Sequence, residues 1–186
     1  MRFLFDEART AQAAAFLVSL SGREMNYMKL IKLLYLSDRE ALIQTGLPIT
    51  GDRWVSMPHG PVLSNTLNLI KDPESRHASP WHEWMVTRPS RRSVAIRTNC
   101  ADFDELSEFH IATIKSVFGK WGHLDQWQLE NVTHELPEWE DPHGSSSTID
   151  PKRILREAGV SAERIEDIER DADEDCFVRS LERSVQ

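Results

Sequence analysis

Asp38 is the residue that first invites a chemical reading. It lies within KLIKLLYLSDREAL (29–42), four residues after Leu34 and four before Leu42, on the apolar face of a helical pattern. A carboxylate placed there is costly unless something bonds it. It either ties down a neighbouring segment, capping a helix end or bonding a Trp or His, or it is a site carboxylate with a shifted pKa. Seven histidines widen the choice. A metal-dependent hydrolase would bring Asp38, His59 and His134 into one cleft, with His82, His143 and Asp141 as further candidate ligands. No two histidines stand three or four apart on a helix, the spacing that puts ligands on one face. The chain also lacks H-E-x-x-H, a phosphate-binding glycine loop, a dinucleotide fingerprint and a G-x-S-x-G elbow. No catalytic set, metal site or cofactor is therefore expected, and the plainer roles are preferred: His59 as a turn donor, His134 at a helix end or in the core.

Two other groups suggest binding. Arg88, Arg91, Arg92 and Arg97 would give a β-hairpin a basic tip, suited either to nucleic acid, as in a DNA-associated regulator, or to keeping a sheet edge soluble. Trp81 and Trp84 lie just before that hairpin and, with Arg88, Arg91 and Arg92, form a candidate partner-binding surface. Charge argues against nucleic acid: the formal net charge is −8, which suits basic partners better than phosphate. Cys100 and Cys176 are too few and too far apart for a disulfide framework or zinc site, so a reducing cytoplasm is the expected setting. The uncharged run from Thr10 to Gly22 is too short and polar to span a membrane, and Asp6 and Glu7 stand where a signal peptide carries positive charge.

The elements that must position these residues follow from periodicity and caps. A first helix is expected over Asp6–Leu20, its face built of alanines. Asn26 caps a long helix that Gly46 stops and Pro48 keeps from restarting. Its apolar stripe includes Ile31, Leu34, Tyr35, Ala41 and Leu42, while Lys29, Lys32, Arg39 and Glu40 mark a solvated side. Asp52–Met57 reads as a short strand, His59-Gly60-Pro61 as a tight turn, and Pro61 as the first position of a helix carrying Val62, Leu63, Thr66, Leu67 and Ile70. A polar loop covers Asp72–Ser79, and a short turn covers Pro80–Trp84. Met85–Arg88 and Ser93–Thr98, connected through Pro89, Ser90 and Arg91, form a hairpin expected to pair with the Trp54 strand. Helices follow over Asp104–Gly119 and Leu124–Glu135. Pro137–Thr148 reads as a linker. Asp150 and Pro151 then open a helix that Gly159 ends, and Ser161 caps a last one. Between Glu163 and Asp175 that helix has eight acidic residues against two basic, either a solvated face or a contact for a basic partner. The expected fold is mainly α (α+β): a helical domain around a central apolar helix with a small antiparallel sheet, the C-terminal helices packing outside the core.

The order of motifs resembles one family. K-L-x-K-L-L-Y-L-x-D (29–38), then G-x-P-I (46–49), a short aromatic strand, and His59-Gly60-Pro61-Val62 before a helix are similar to the Panacea, or SocA-like, antitoxin domain. Thr133 and His134, followed by Pro137 and Trp139, match a later family feature loosely, with Glu138 inserted. The resemblance runs from about Ala8 to Trp139. It implies a domain over residues 1–144 with a helical extension over 145–186. It also implies that Tyr35, Asp38, His59, Gly60, Pro61, Val62, His134 and Trp139 are its motif residues. The implied function is the antitoxin of a bacterial or prophage toxin–antitoxin pair, neutralising by direct binding a cognate toxin encoded beside it.

Overall fold

The computed structural model describes residues 1–71, 79–88, 92–97 and 102–184, with side chains as far as Val178. Most of the polar loop read after Lys71, the hairpin connection Pro89-Ser90-Arg91, Thr98 and Cys100 lie outside the described residues. Helix dominates, as expected, with eight helices and two small antiparallel sheets among the described residues. No helix is long and apolar enough to cross a membrane.

The first helix, α1 (Glu7–Leu20), starts where the Asp6 carboxylate accepts the Arg9 N–H. Every residue from Thr10 to Val18 is buried, because the alanines let neighbouring elements approach from several sides. A strand, β1 (Glu24–Asn26), leads into α2 (Tyr27–Thr45). The Asn26 side chain accepts the Met28 and Lys29 N–H groups, and Gly46 ends α2 in the left-handed region at φ 86°. Nine consecutive residues of α2, Leu30–Asp38, are buried. It is the central helix, touching α1 and, as they follow along the chain, α3 (Ser64–Lys71), α5 (Glu108–Trp121), α6 (Gln126–His134) and α7 (Pro151–Glu157).

The sheets depart from the expected arrangement. After α4 (Pro80–Trp84), strands β4 (Met85–Thr87) and β5 (Ser93–Ile96) do form a hairpin, but β5 pairs with β1 rather than with the Trp54 strand. The register places Met25 opposite Val94, two buried residues on one face. The Trp54 strand, β2 (Trp54–Ser56), instead pairs with β3 (Val62–Leu63) and β6 (Ser147–Thr148). Val62 and Leu63 are thus strand, not helix, and Pro61 does not open α3. The reason is Asp52, whose carboxylate accepts the Asn65 and Thr66 N–H groups and fixes the start of α3 at Ser64.

The C-terminal helices, α7 and α8 (Ala162–Ser184), do not pack outside the core. Ile149, Ile154, Leu155, Ile165 and Ile168 share its hydrophobic cluster. Gly46 meets α8 so closely that a Cβ there would lie 2.7 Å from the Ile168 side chain. Inside the stretch read as a linker, β6 bonds to β2. The candidate partner surface also needs correction. Trp81 is 1% exposed, its ring shut into the core and its backbone N–H donating to the Glu7 carboxylate, so it presents no surface. Trp84 is half-buried against Phe103. Arg88 is exposed and pairs with Glu24, Arg92 and Arg97 are exposed, and Arg91 lies outside the described residues.

Candidate functional site

Three side chains spaced three apart on α2 (Lys32, Tyr35 and Asp38) each reach a different polar segment. Asp38 is fully buried. Its carboxylate accepts the Thr50 N–H (2.9 Å) and the Thr50 hydroxyl (2.5 Å). The same hydroxyl accepts the Asp52 N–H at 3.1 Å, so the chain of bonds runs on to the start of α3. Burial pushes the Asp38 carboxyl up to about 7, against the Thr50 bonds that favour its charged form. Asp38 therefore does tie down a neighbouring segment, but the expectation that this would be a helix end or a Trp or His is corrected. It holds the Ile49–Thr50 loop, over which the N-terminal segment lies, with the Asp6 N–H on the Thr50 carbonyl.

The residue that does hold the turn is Lys32. It was assigned to a solvated side, yet it is 1% exposed, and its Nζ donates to the Pro61 carbonyl at 2.9 Å. Gly60 sits at φ 86°, and its N–H closes the turn on the Met57 carbonyl. A Cβ at Gly60 would stand 2.6 Å from Lys32 Nζ, 2.8 Å from Thr133 Oγ1 and 3.1 Å from His134 Cδ2. Only glycine supplies both that conformation and that clearance. Desolvation drives the Lys32 ammonium down to about 7, opposed by the Glu130 carboxylate.

The end of α6 completes the site. His134 stacks on Trp139 with ring centroids 4.0 Å apart, and the Trp139 indole N–H donates to the Met57 carbonyl. Burial holds the His134 imidazole below its ordinary range. One oxygen of Glu130 meets His59 Nδ1 at 3.1 Å; the other is buried with no hydrogen-bond partner among the described residues. The exposed His59 ring stands edge to face with Trp127, itself 54% exposed. Beyond α6, Glu138 is 1% exposed and accepts from the Tyr35 hydroxyl (3.0 Å) and from Arg39 Nε (2.7 Å). Burial and the Glu138 carboxylate together raise the Tyr35 phenol well above its usual range.

The structure thus brings together His59, Gly60, Pro61, His134 and Trp139, with Val62 buried beside them in β3. It does not bring Asp38 to them, so the Asp38-His59-His134 hydrolase arrangement does not form: Asp38 faces Thr50, His59 faces Glu130 and His134 faces Trp139. Among the described residues no three His, Cys, Asp or Glu side chains gather as metal ligands would. Sequence reasoning missed Glu130, placed Lys32 on a solvated side, and met Thr133 and Glu138 only as parts of a loosely matched motif. The available signal was that Lys32 and Asp38 flank Tyr35 symmetrically within one apolar run, and that Glu138 interrupts the Pro–Trp pair. Each of these groups fixes a backbone segment or another side chain, and the outcome is a rigid turn with aromatic rings above it.

No curated protein matches this chain. No solved structure matches it either. A family model does, over residues 30–140, which is more than half of the chain and takes in most of α2, the Gly60 turn, α6 and Trp139. On that match, the chain belongs to the family described as antitoxin SocA-like, Panacea domain.

Proposed function

We propose that this protein is the antitoxin of a bacterial toxin–antitoxin pair, acting in the cytoplasm and neutralising a cognate toxin by direct contact. The observation that carries the reading is the antitoxin-type family match over residues 30–140. Two features support it. The polar groups that looked most like chemistry are used to position backbone: Asp38 holds the Thr50 loop and Lys32 holds the Pro61 carbonyl. The chain also carries a net charge of −8, suited to a basic protein partner. We assign the neutralising unit to residues 1–144, with 145–186 as the helical extension that completes its core. The motif residues Tyr35, Asp38, His59, Gly60, Pro61, Val62, His134 and Trp139 act as its scaffold.

The test is co-expression with each adjacent open reading frame. A neighbour that arrests growth alone, grows normally with this chain and co-purifies with it supports the proposal. A locus with no toxic neighbour, or rescue without a physical complex, defeats it.

A further inference from the structure

We propose that Trp127, His59 and Glu130 form a docking ledge for an arginine or lysine side chain of a basic partner protein; this rests on the antitoxin reading for its biological partner, though not for its chemistry. Trp127 is 54% exposed, an unusual position for so large an apolar ring, whereas Trp54 and Trp81 are buried. His59 stands edge to face with it, ring centroids 6.4 Å apart, and bonds the Glu130 carboxylate at 3.1 Å. An indole ring attracts a cation through its quadrupole, and the Glu130 carboxylate on the far side of His59 adds longer-range charge. Flat, weakly hydrated guanidinium groups fit such a face best.

The ledge is also prepared in advance. His59 cannot shift without moving Gly60, which has no room for a Cβ, or Pro61, whose carbonyl Lys32 holds from below. Trp139 secures the other side through Met57. A rigid receptor loses little entropy when it binds. Charge complementarity selects the occupant: from Asp125 to Glu135 the α6 segment carries three carboxylates and no lysine or arginine, and of the α2 lysines near them, Lys29 lies by Asp125 and Lys32, by Glu130, is buried. The whole ledge lies within residues 30–140, as does the exposed Leu47, whereas the exposed Phe177 and Val178 lie outside that span.

The test uses the full-length protein labelled with 15N at its six tryptophan indoles. The probe is a hexa-arginine peptide, with hexa-glutamate as control; Trp127→Phe identifies the Trp127 indole signal by its loss. The Trp127 signal should move saturably with hexa-arginine and stay still with hexa-glutamate, while the Trp54 and Trp81 signals stay still throughout. Glu130→Gln should weaken the apparent affinity about threefold, as expected for a partly screened charge. Phe177→Ala should leave the affinity unchanged. A Trp127 signal that ignores the peptide, or that responds equally in Glu130→Gln, overturns the proposal. So does a signal that moves with protein concentration alone, which would mark a second copy as the occupant. A protein that shows this response but rescues no neighbour keeps the ledge and loses the antitoxin reading. One that rescues its neighbour but shows no response binds its toxin elsewhere.

Discussion

Replacing Lys32 by methionine keeps the length of the side chain and removes its one buried donor. At pH 9 the native amine is largely neutral, since burial has driven it down to about 7, and the bond to the Pro61 carbonyl is intact. Loss of that bond leaves a buried carbonyl unsatisfied and should cost about 1–3 kcal/mol. At pH 6 the balance changes. The unfolded lysine titrates near its ordinary 10.5, so the unfolded chain binds more protons than the folded one between about 7 and 10.5. Stability from this group is therefore complete only above the upper value and is lost as pH falls towards the lower one. Integrated from pH 9 to pH 6, the native protein gives up about 2–3 kcal/mol through Lys32, whereas the methionine variant does not. Urea unfolding of both proteins across that range measures the difference. The variant should be clearly less stable at pH 9 and equal or more stable at pH 6. A difference independent of pH would refute the placement of Lys32 beneath the turn.

Asp38 has the opposite dependence. Its folded value of about 7 lies above its ordinary 3.8, so its contribution is full below the lower figure and lost as pH rises through the upper one. Asp38→Asn should flatten that dependence between pH 4 and pH 8, and Asp38→Ala should lower stability by about 1–3 kcal/mol by stranding the Thr50 donors, both read by thermal melts. Gly60→Ala should destabilise by about 1–3 kcal/mol, because the methyl meets Lys32 and Thr133 and φ is positive; an unchanged melting temperature would contradict the geometry. Glu138→Ala leaves Arg39 and Tyr35 without their shared acceptor and should cost about 3 kcal/mol, while Tyr35→Phe, which removes one bond, should cost about 1 kcal/mol.

What the sequence revealed and what it concealed divide along physical lines. The long helix was legible because its apolar stripe, the Asn26 cap and the Gly46 stop are local signals that agree. So were the Asp150 cap with Pro151 and the Ser161 cap, whose oxygen accepts the Arg164 N–H. The strands β1, β3 and β6 were not, since two or three residues show no alternation and pairing partners lie far along the chain. Lys32 was misjudged and Glu138 given no role because a charged residue is buried only when a distant segment supplies its partner. For Lys32 that partner is Pro61, and for Glu138 it is Tyr35. Aromatic identity did not separate Trp81 from Trp127, which differ only in what packs over them. Polar, proline-bearing residues 137–148 looked like a linker, but the β6 pairing and Ile149 fasten their end to the core.

Neutralisation by direct contact, as proposed, requires this chain and its toxin to form a physical complex. Light scattering coupled to size exclusion, on this chain mixed with the purified product of a toxic adjacent reading frame, tests it most directly. One species of defined stoichiometry, heavier than either protein, should form under the conditions that restore growth. Two proteins that elute separately under those conditions would contradict it.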